Sequence, residues 1–251
     1  MPQEGESRAI SLEAEGLAKD DGALRDFGFI DVLLDGTVSR EQHYERNSAI
    51  LTTRFTDDEG NGIEVTDFAP RFDNHGRTFT PSMLVRIIRR IAGRPRITLR
   101  ARPAKDYGRA PCETRVGAHQ ISYIGNSQAM RITTDAAVSS IIDEKPFFLH
   151  ESVTLLMGLD ETVDGAPQQV GRTFHENTRD YWYSWVRNLD IPLQWKDVAI
   201  RAAITLKLNA FDDTGAIIPP SRPRSRKRRT RSATGITASA GCATPISSST
   251  R

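Results

Sequence analysis

From Phe27 to Leu159 the chain alternates short apolar runs with turn chemistry. The runs are FGFIDVLL (27–34), SAILTTRF (48–55), GIEVTDFA (62–69), MLVRIIRRIAG (83–93), RITLRARP (96–103), HQISYIG (119–125), AMRITTD (129–135), SSIID (139–143), PFFLHE (146–151) and VTLLMGL (153–159). Breaks fall at Asp35-Gly36, Asp58-Glu59-Gly60-Asn61-Gly62, Asp73-Asn74-His75-Gly76 and Gly93-Arg94-Pro95, all of them hairpin or loop signals. So many short strands predict a mainly β fold, an antiparallel β-sandwich. Alternation agrees: Ile97, Leu99 and Ala101 form one apolar face, while Arg96, Thr98, Arg100 and Arg102 turn the other way. The arginine row reads as the solvated face rather than as an anion groove.

After Asp164 the period changes from two to 3.6. Within Gln168–Leu189, Val170, Phe174, Tyr181, Trp182, Trp185 and Val186 share one helical face, interrupted only by Gly171. This predicts a helix that leaves the sandwich and ends at Ile191-Pro192. A second helix is predicted over Gln194–Phe211, with Val198, Ala202, Thr205, Leu206 and Leu208 crowding one side.

The text from Arg222 to Arg251 has no such periodicity and almost no large side chain. Taking the third base of each codon with the first two of the next, and choosing among synonymous codons, this stretch can spell TSIPEAQDEERNWDYRFCWLRDAYFVVDA. The written residues fix most of the last two bases of each offset codon and leave mainly the first base free. Gly235 and Gly241, for instance, supply the GG of each tryptophan codon. The decoded peptide resembles the start of the catalytic domain of glycoside hydrolase family 15, the glucoamylases and trehalase-like glucosidases, where RNWDYRYCWLRDA is a hallmark. In the frame as written, EQHYERNSAILTTRF (Glu41 to Phe55), IEVTDFAPRF (Ile63 to Phe72), MLVRIIRRIAGRPRI (Met83 to Ile97), KDYGRAP (Lys105 to Pro111) and VAIRAAITLKLNAFDDTGAI (Val198 to Ile217) resemble that family's amino-terminal half. The family's opening strands, with a GSIDWL-like motif, have no counterpart in residues 1–26.

The resemblance implies a poorly ordered arm over 1–26, a trehalase-like β-sandwich over 27–164, a linker helix over 165–192 and the first helix of an incomplete (α/α)6 barrel over 193–220. Residues 221–251 then form a disordered basic tail produced by the frame change. In residues 105–108 the family pattern implies a turn at Asp106-Tyr107-Gly108, with Gly108 at positive φ.

The net charge of +2 hides an asymmetry: Arg222–Arg231 is densely positive and the preceding body is acidic overall. A basic block of this kind attracts nucleic-acid phosphates, but a product of a frame change was never selected for that role, so no specific nucleic-acid partner is expected. The two cysteines, Cys112 and Cys242, support neither a disulfide framework nor a metal knuckle. The amino terminus lacks the pattern of a secretory signal, and no run reaches the ~18 apolar residues of a membrane span. The expectation is a cytoplasmic protein without a membrane partner.

Candidate chemistry is sparse. Inverting hydrolysis of an α-glucoside needs two carboxyl groups roughly 6.5 to 9.5 Å apart, and the resemblance places both in barrel segments that have no counterpart here, so no catalytic residue is assigned. The acid pairs Asp57-Asp58, Asp160-Glu161 and Asp212-Asp213 read as solvated turns, because neighbours on a turn point apart. His43, His75, His119, His150 and His175 show no metal-ligand spacing, so no metal or cofactor is expected. There is no GxSxG elbow and no phosphate-binding glycine loop. Trp182, Trp185 and Trp195 with Tyr181 and Tyr183 suit a sugar platform in kind, but their helical spacing favours packing of the linker helix on the sandwich.

The expected function is therefore that of a truncated, non-catalytic fragment of an α-glucoside hydrolase acting on a trehalose-like or maltodextrin-like oligosaccharide. The alternative is a stand-alone β-sandwich that binds carbohydrate or protein. Without the rest of a barrel, Ile200, Ile204, Leu206 and Leu208 cannot all be covered, which predicts self-association through that helix.

Overall fold

The computed structural model describes residues 28–105, 110–125, 128–160, 163–191, 194–210 and 216–217. The arm 1–26, the turn Asp106-Tyr107-Gly108, Glu161, the pair Asp212-Asp213 and the tail 221–251 with Cys242 lie outside the described residues.

The described chain is mainly β, and its sheets are antiparallel. In order the strands are β1 (Phe29–Leu34), β2 (Thr37–Tyr44), β3 (Leu51–Asp57), β4 (Gly62–Phe68), β5 (Phe72–Asn74), β6 (Arg77–Phe79), β7 (Met83–Ala92) and β8 (Arg96–Arg102). There follow β9 (Ala104–Lys105), β10 (Ala110–Pro111), β11 (Glu113–Val116), β12 (Gln120–Ile124), β13 (Ala129–Thr134), helix α1 (Val138–Ile142), β14 (Phe147–Phe148), β15 (Ser152–Leu159) and helices α2 (Pro167–Arg187) and α3 (Lys196–Leu208). Eight strands form one sheet in the order β11-β12-β13-β15-β7-β4-β3-β2, and β1, β8 and β14 form a second with β8 in the middle.

Period-two alternation assigns each face of the large sheet its cover. Ile63 and Val65 of β4, Ile88 of β7, Ile132 of β13 and Val153, Leu155 and Met157 of β15 share a core with Val32, Leu34, Ile97 and Leu99 of the small sheet and with Val138 and Ile141 of α1. Val85 and Leu156, from the same strands, turn to the opposite side and meet Phe68, Val170 and Phe174. The central strands are thus buried on both faces, by the small sheet on one and by α2 on the other. Asp35-Gly36 and Gly93-Arg94-Pro95 carry the chain between the two sheets rather than closing hairpins, since β1 and β8 lie in the small sheet and β2 and β7 in the large one. Gly36 (φ 68°) and Gly93 (φ 58°) take left-handed backbone at these crossings, and the Arg94 N–H donates to Asn61 Oδ1 at 2.7 Å.

Two expectations need correction. The run SSIID is not a strand: Val138–Ile142 is a short helix whose Val138 and Ile141, three apart, both enter the core. In five residues a two-residue and a 3.6-residue period cannot be told apart. Conversely, β2 was not foreseen, because all eight of its residues are exposed and show no apolar alternation. It is an edge strand held by pairing with β3, and Arg40 and Glu41 give that edge the charge that discourages further pairing.

Helix α2 opens with Pro at its first turn and lays Val170, Gly171, Phe174, Thr178, Trp182 and Val186 along its inward side. Thr178 Oγ1 accepts the Arg71 N–H at 3.1 Å, tying the helix to the strand region below. Gly171 marks the closest approach: a Cβ there would lie 2.7 Å from Thr154 Cγ2. Thr154 is a stiff β-branched residue, only 1% exposed. Gly171→Ala should therefore lower stability by about 1–3 kcal/mol through overpacking, although alanine gains about 1 kcal/mol in helix propensity. A denaturation midpoint at or above wild type would contradict this placement of α2.

Candidate functional site

Where α2 crosses the large sheet it roofs a polar cleft of about 270 Å3. Its floor follows from strand register. Glu64 of β4 stands opposite Arg89 of β7, and Arg89 opposite Ser152 of β15; one step along, Thr66 faces Ile87 and Ile87 faces Thr154. Gln168, Arg172 and His175 descend from α2, and Glu45 enters from the turn after β2.

A row of charges crosses this floor. Arg54 of β3 stands opposite Glu64, and its Nε donates to Glu64 Oε2 at 2.9 Å, while an Arg89 guanidinium nitrogen donates to Oε1 at 2.6 Å. Glu64 is 8% exposed. Burial pushes its carboxyl up, but the hydrogen bonds and positive charges of Arg54 and Arg89 outweigh burial and hold it below the ordinary glutamate range. With both oxygens engaged it is an anchored anion, unsuited to proton donation. At the other end His175 Nε2 and Glu45 Oε1 lie 3.2 Å apart, with the imidazole edge-on to Phe68. Gln168 Nε2 donates to Ser152 Oγ at 3.0 Å. The cleft combines guanidinium, amide, hydroxyl and carboxylate groups, a set suited to hydrogen-bonding a polar, uncharged ligand. Among the described residues no hydroxyl or thiol in it is hydrogen-bonded to a histidine or carboxylate.

The other sequence candidates do not gather around it. Asp57 is not a solvated acid: it is 7% exposed, and its carboxylate accepts the N–H groups of Glu59 (3.0 Å) and Asn61 (2.7 Å) and the Asn61 side-chain amide (2.7 Å). Desolvation pushes its carboxyl up, and the Asn61 and backbone hydrogen bonds win, leaving it below the usual aspartate range. Asp160 accepts from Arg131 Nε at 2.5 Å and from Ser122 Oγ at 3.3 Å. The arginine row of β8 is not simply solvated. Arg100 makes two hydrogen bonds to Asp31, its cross-strand neighbour on β1, and Arg102 makes two to Glu144. His43, His119 and His150 are exposed and His75 sits in the β5–β6 turn at φ 50°. Among the described residues no group of three or more His, Cys, Asp or Glu could hold a metal ion. Trp182 is 1% exposed and packs edge-to-face on Tyr181 and Trp185; Trp195, 76% exposed, stands apart at the start of α3. Cys112 is a free, half-buried thiol beside the core. No helix among the described residues is long and apolar enough to cross a membrane.

Compared with protein-family models, with curated proteins and with solved structures, the chain finds no match in any of the three. The sequence alone missed Glu45, Glu64, Arg89 and Arg172 as neighbours of His175. These residues are remote in sequence, and only strand register and the path of α2 bring them together.

The charge pairs give a pH dependence with a definite sign. In Glu144 the hydrogen bonds from Arg102 dominate and hold the carboxyl low, as the two arginines do for Glu64. Both groups bind protons more weakly in the folded than in the unfolded chain. Their stabilisation is fully present above the unfolded-state value of about 4.3 and is lost as pH falls through the depressed folded values. Glu64→Gln should lower the denaturation midpoint at pH 7 and flatten its decline between about pH 5 and pH 3. Parallel pH profiles for variant and wild type would show that Glu64 carries none of this linkage.

Proposed function

We propose that this chain is a non-catalytic, β-rich module of the glycoside hydrolase family 15 type, a trehalase-like amino-terminal sandwich followed by a linker helix and the first helix of an (α/α)6 barrel, with a change of reading frame between Ile218 and Pro223. The parent protein hydrolyses α-glucosidic bonds, in a trehalose-like or maltodextrin-like substrate. The observation that carries this reading is α3. Its inward side buries Ile200 and Ile204 against Trp182 and Val186. Its outward side presents Val198 (68% exposed) and Leu206 (54%), with Ala202 between them and Trp195 at the start. A helix apolar on two sides suits a barrel wall, which has neighbours on both. The offset text that residues 222–251 can encode, with RNWDYRFCWLRDA, supports the same reading.

A second reading rests on the polar cleft. Arg89, Arg172, Gln168 and Glu45 supply the donors and acceptors that a carbohydrate hydroxyl array needs, which favours a stand-alone carbohydrate-binding β module. The two readings differ in what a repaired gene does. One base inserted between codons 218 and 223 restores the offset frame, and the lengthened product should hydrolyse trehalose or maltooligosaccharides while the unmodified chain does not. Lack of hydrolysis by a well-folded repaired product would remove the glucosidase reading and leave the binding module.

The exposed side of α3 also predicts behaviour in solution. The chain should self-associate through it, and Val198→Lys with Leu206→Lys should shift the sedimentation profile towards monomer, because each exposed aliphatic side chain forfeits on the order of 1.5–3 kcal/mol of burial. A wild-type chain that is monomeric at millimolar concentration would show that α3 needs no partner.

A further inference from the structure

We infer that the chain carries a second ligand site, for an organic anion with a small apolar body, in the cleft of about 470 Å3 enclosed by the turn after β2, the end of α2 and the start of α3. Arg46, Arg187 and Lys196 rim it, and Val186, Leu189 and Ile200 form its apolar floor. Among the described residues no acidic side chain lines it, in contrast with the polar cleft, whose arginines stand beside Glu45 and Glu64. Among the described residues none of the three cations has a carboxylate within 4 Å.

The helix start at this rim adds a second argument. Trp195 occupies the N-cap of α3 and makes no side-chain capping bond; indole has no acceptor to offer the first-turn N–H groups. Lys196 then puts a positive charge at the positive end of the helix dipole, where a negative one is favoured. Asp197, in the same turn, does not line the cleft. Uncapped N–H groups and three unpaired cations above an apolar floor together match a phosphate or carboxylate joined to a ring or short aliphatic body.

The walls are held in place independently of any ligand. An Arg201 guanidinium nitrogen donates to the Ser48 carbonyl at 2.9 Å and its guanidinium lies 4.2 Å from the centre of the Tyr44 ring, fixing α3 to the turn after β2. Ser48 Oγ in turn accepts the Ile50 N–H at 3.1 Å. Ile200 and Ile204 close on Trp182 and Val186 beneath.

Phenyl phosphate is a suitable probe, with inorganic phosphate and phenol as its two halves. The readout is the backbone amide resonance of Leu189 in the full chain, a local report that binding to the arginines of residues 222–231 does not mimic. Phenyl phosphate should shift this resonance saturably, and each half should bind at least about tenfold more weakly. Arg187→Gln with Lys196→Gln should weaken phenyl phosphate binding by about tenfold or more, and added salt should weaken binding to the wild type. Both side chains are exposed, so the denaturation midpoint should hold; if the pair fails to fold, Arg46→Gln alone provides the comparison. Equal affinity for inorganic phosphate, or affinity unchanged in these variants, would overturn the site.

Discussion

The structure depends on one constraint: the middle strands of the large sheet are buried on both faces. Once β15 places Val153, Leu155 and Met157 on one side and Thr154 and Leu156 on the other, neither side can be left to water. The small sheet must lie across the first, and α2 must lie across the second. Gly171 follows from this, since a helix that closes over Thr154 leaves no room for a side chain at the point of contact. The crossings at Gly36 and Gly93 follow too, because a chain that covers its own sheet must leave that sheet and return.

Burial on both faces also dictates the electrostatics. Charged residues on the inner strands can persist only if they are paired. Glu64 lies between Arg54 and Arg89, and Asp67 receives two hydrogen bonds from Arg86, whose remaining guanidinium nitrogen reaches the Ile30 carbonyl of the small sheet. Removing the arginines from the first set would leave Glu64, 8% exposed, as an uncompensated charge. The polar cleft beneath α2 is the accessible margin of the Glu64 set alone, the Asp67–Arg86 pair lying on the face covered by the small sheet. The cationic cleft beside α3 differs in kind, because its charges have no such partners.

The strands that could be read from the sequence were those with an apolar run bounded by an abrupt turn signal, such as β4, β7, β8 and β15. The helix α2 was legible from the recurrence of Val170, Phe174, Trp182 and Val186. Strand β2 was illegible because an edge strand with both faces in water has no apolar pattern to show. Helix α1 was misread because five residues do not define a period. Asp57 was misread because its acceptor role rests on the backbone of its own turn, which sequence adjacency to Asp58 conceals. The sites were harder than the fold: Glu45, Glu64, Arg89 and His175 come together through register and through the path of one helix, and neither leaves a local mark. In α3, the crowding of Val198, Ala202, Leu206 and Leu208 was legible, whereas the burial of Ile200 and Ile204 required knowing where Trp182 lies.

The central functional proposal is that residues 222–251 are an offset reading of a glucosidase-like barrel entrance, and the nucleotide sequence of the gene tests it most directly. The account predicts that the codons chosen for these residues spell RNWDYRFCWLRDA in the offset frame, and that this frame stays open beyond codon 251 into text of helical period. Codons that spell a different peptide there, or place a stop in the offset frame, would contradict it.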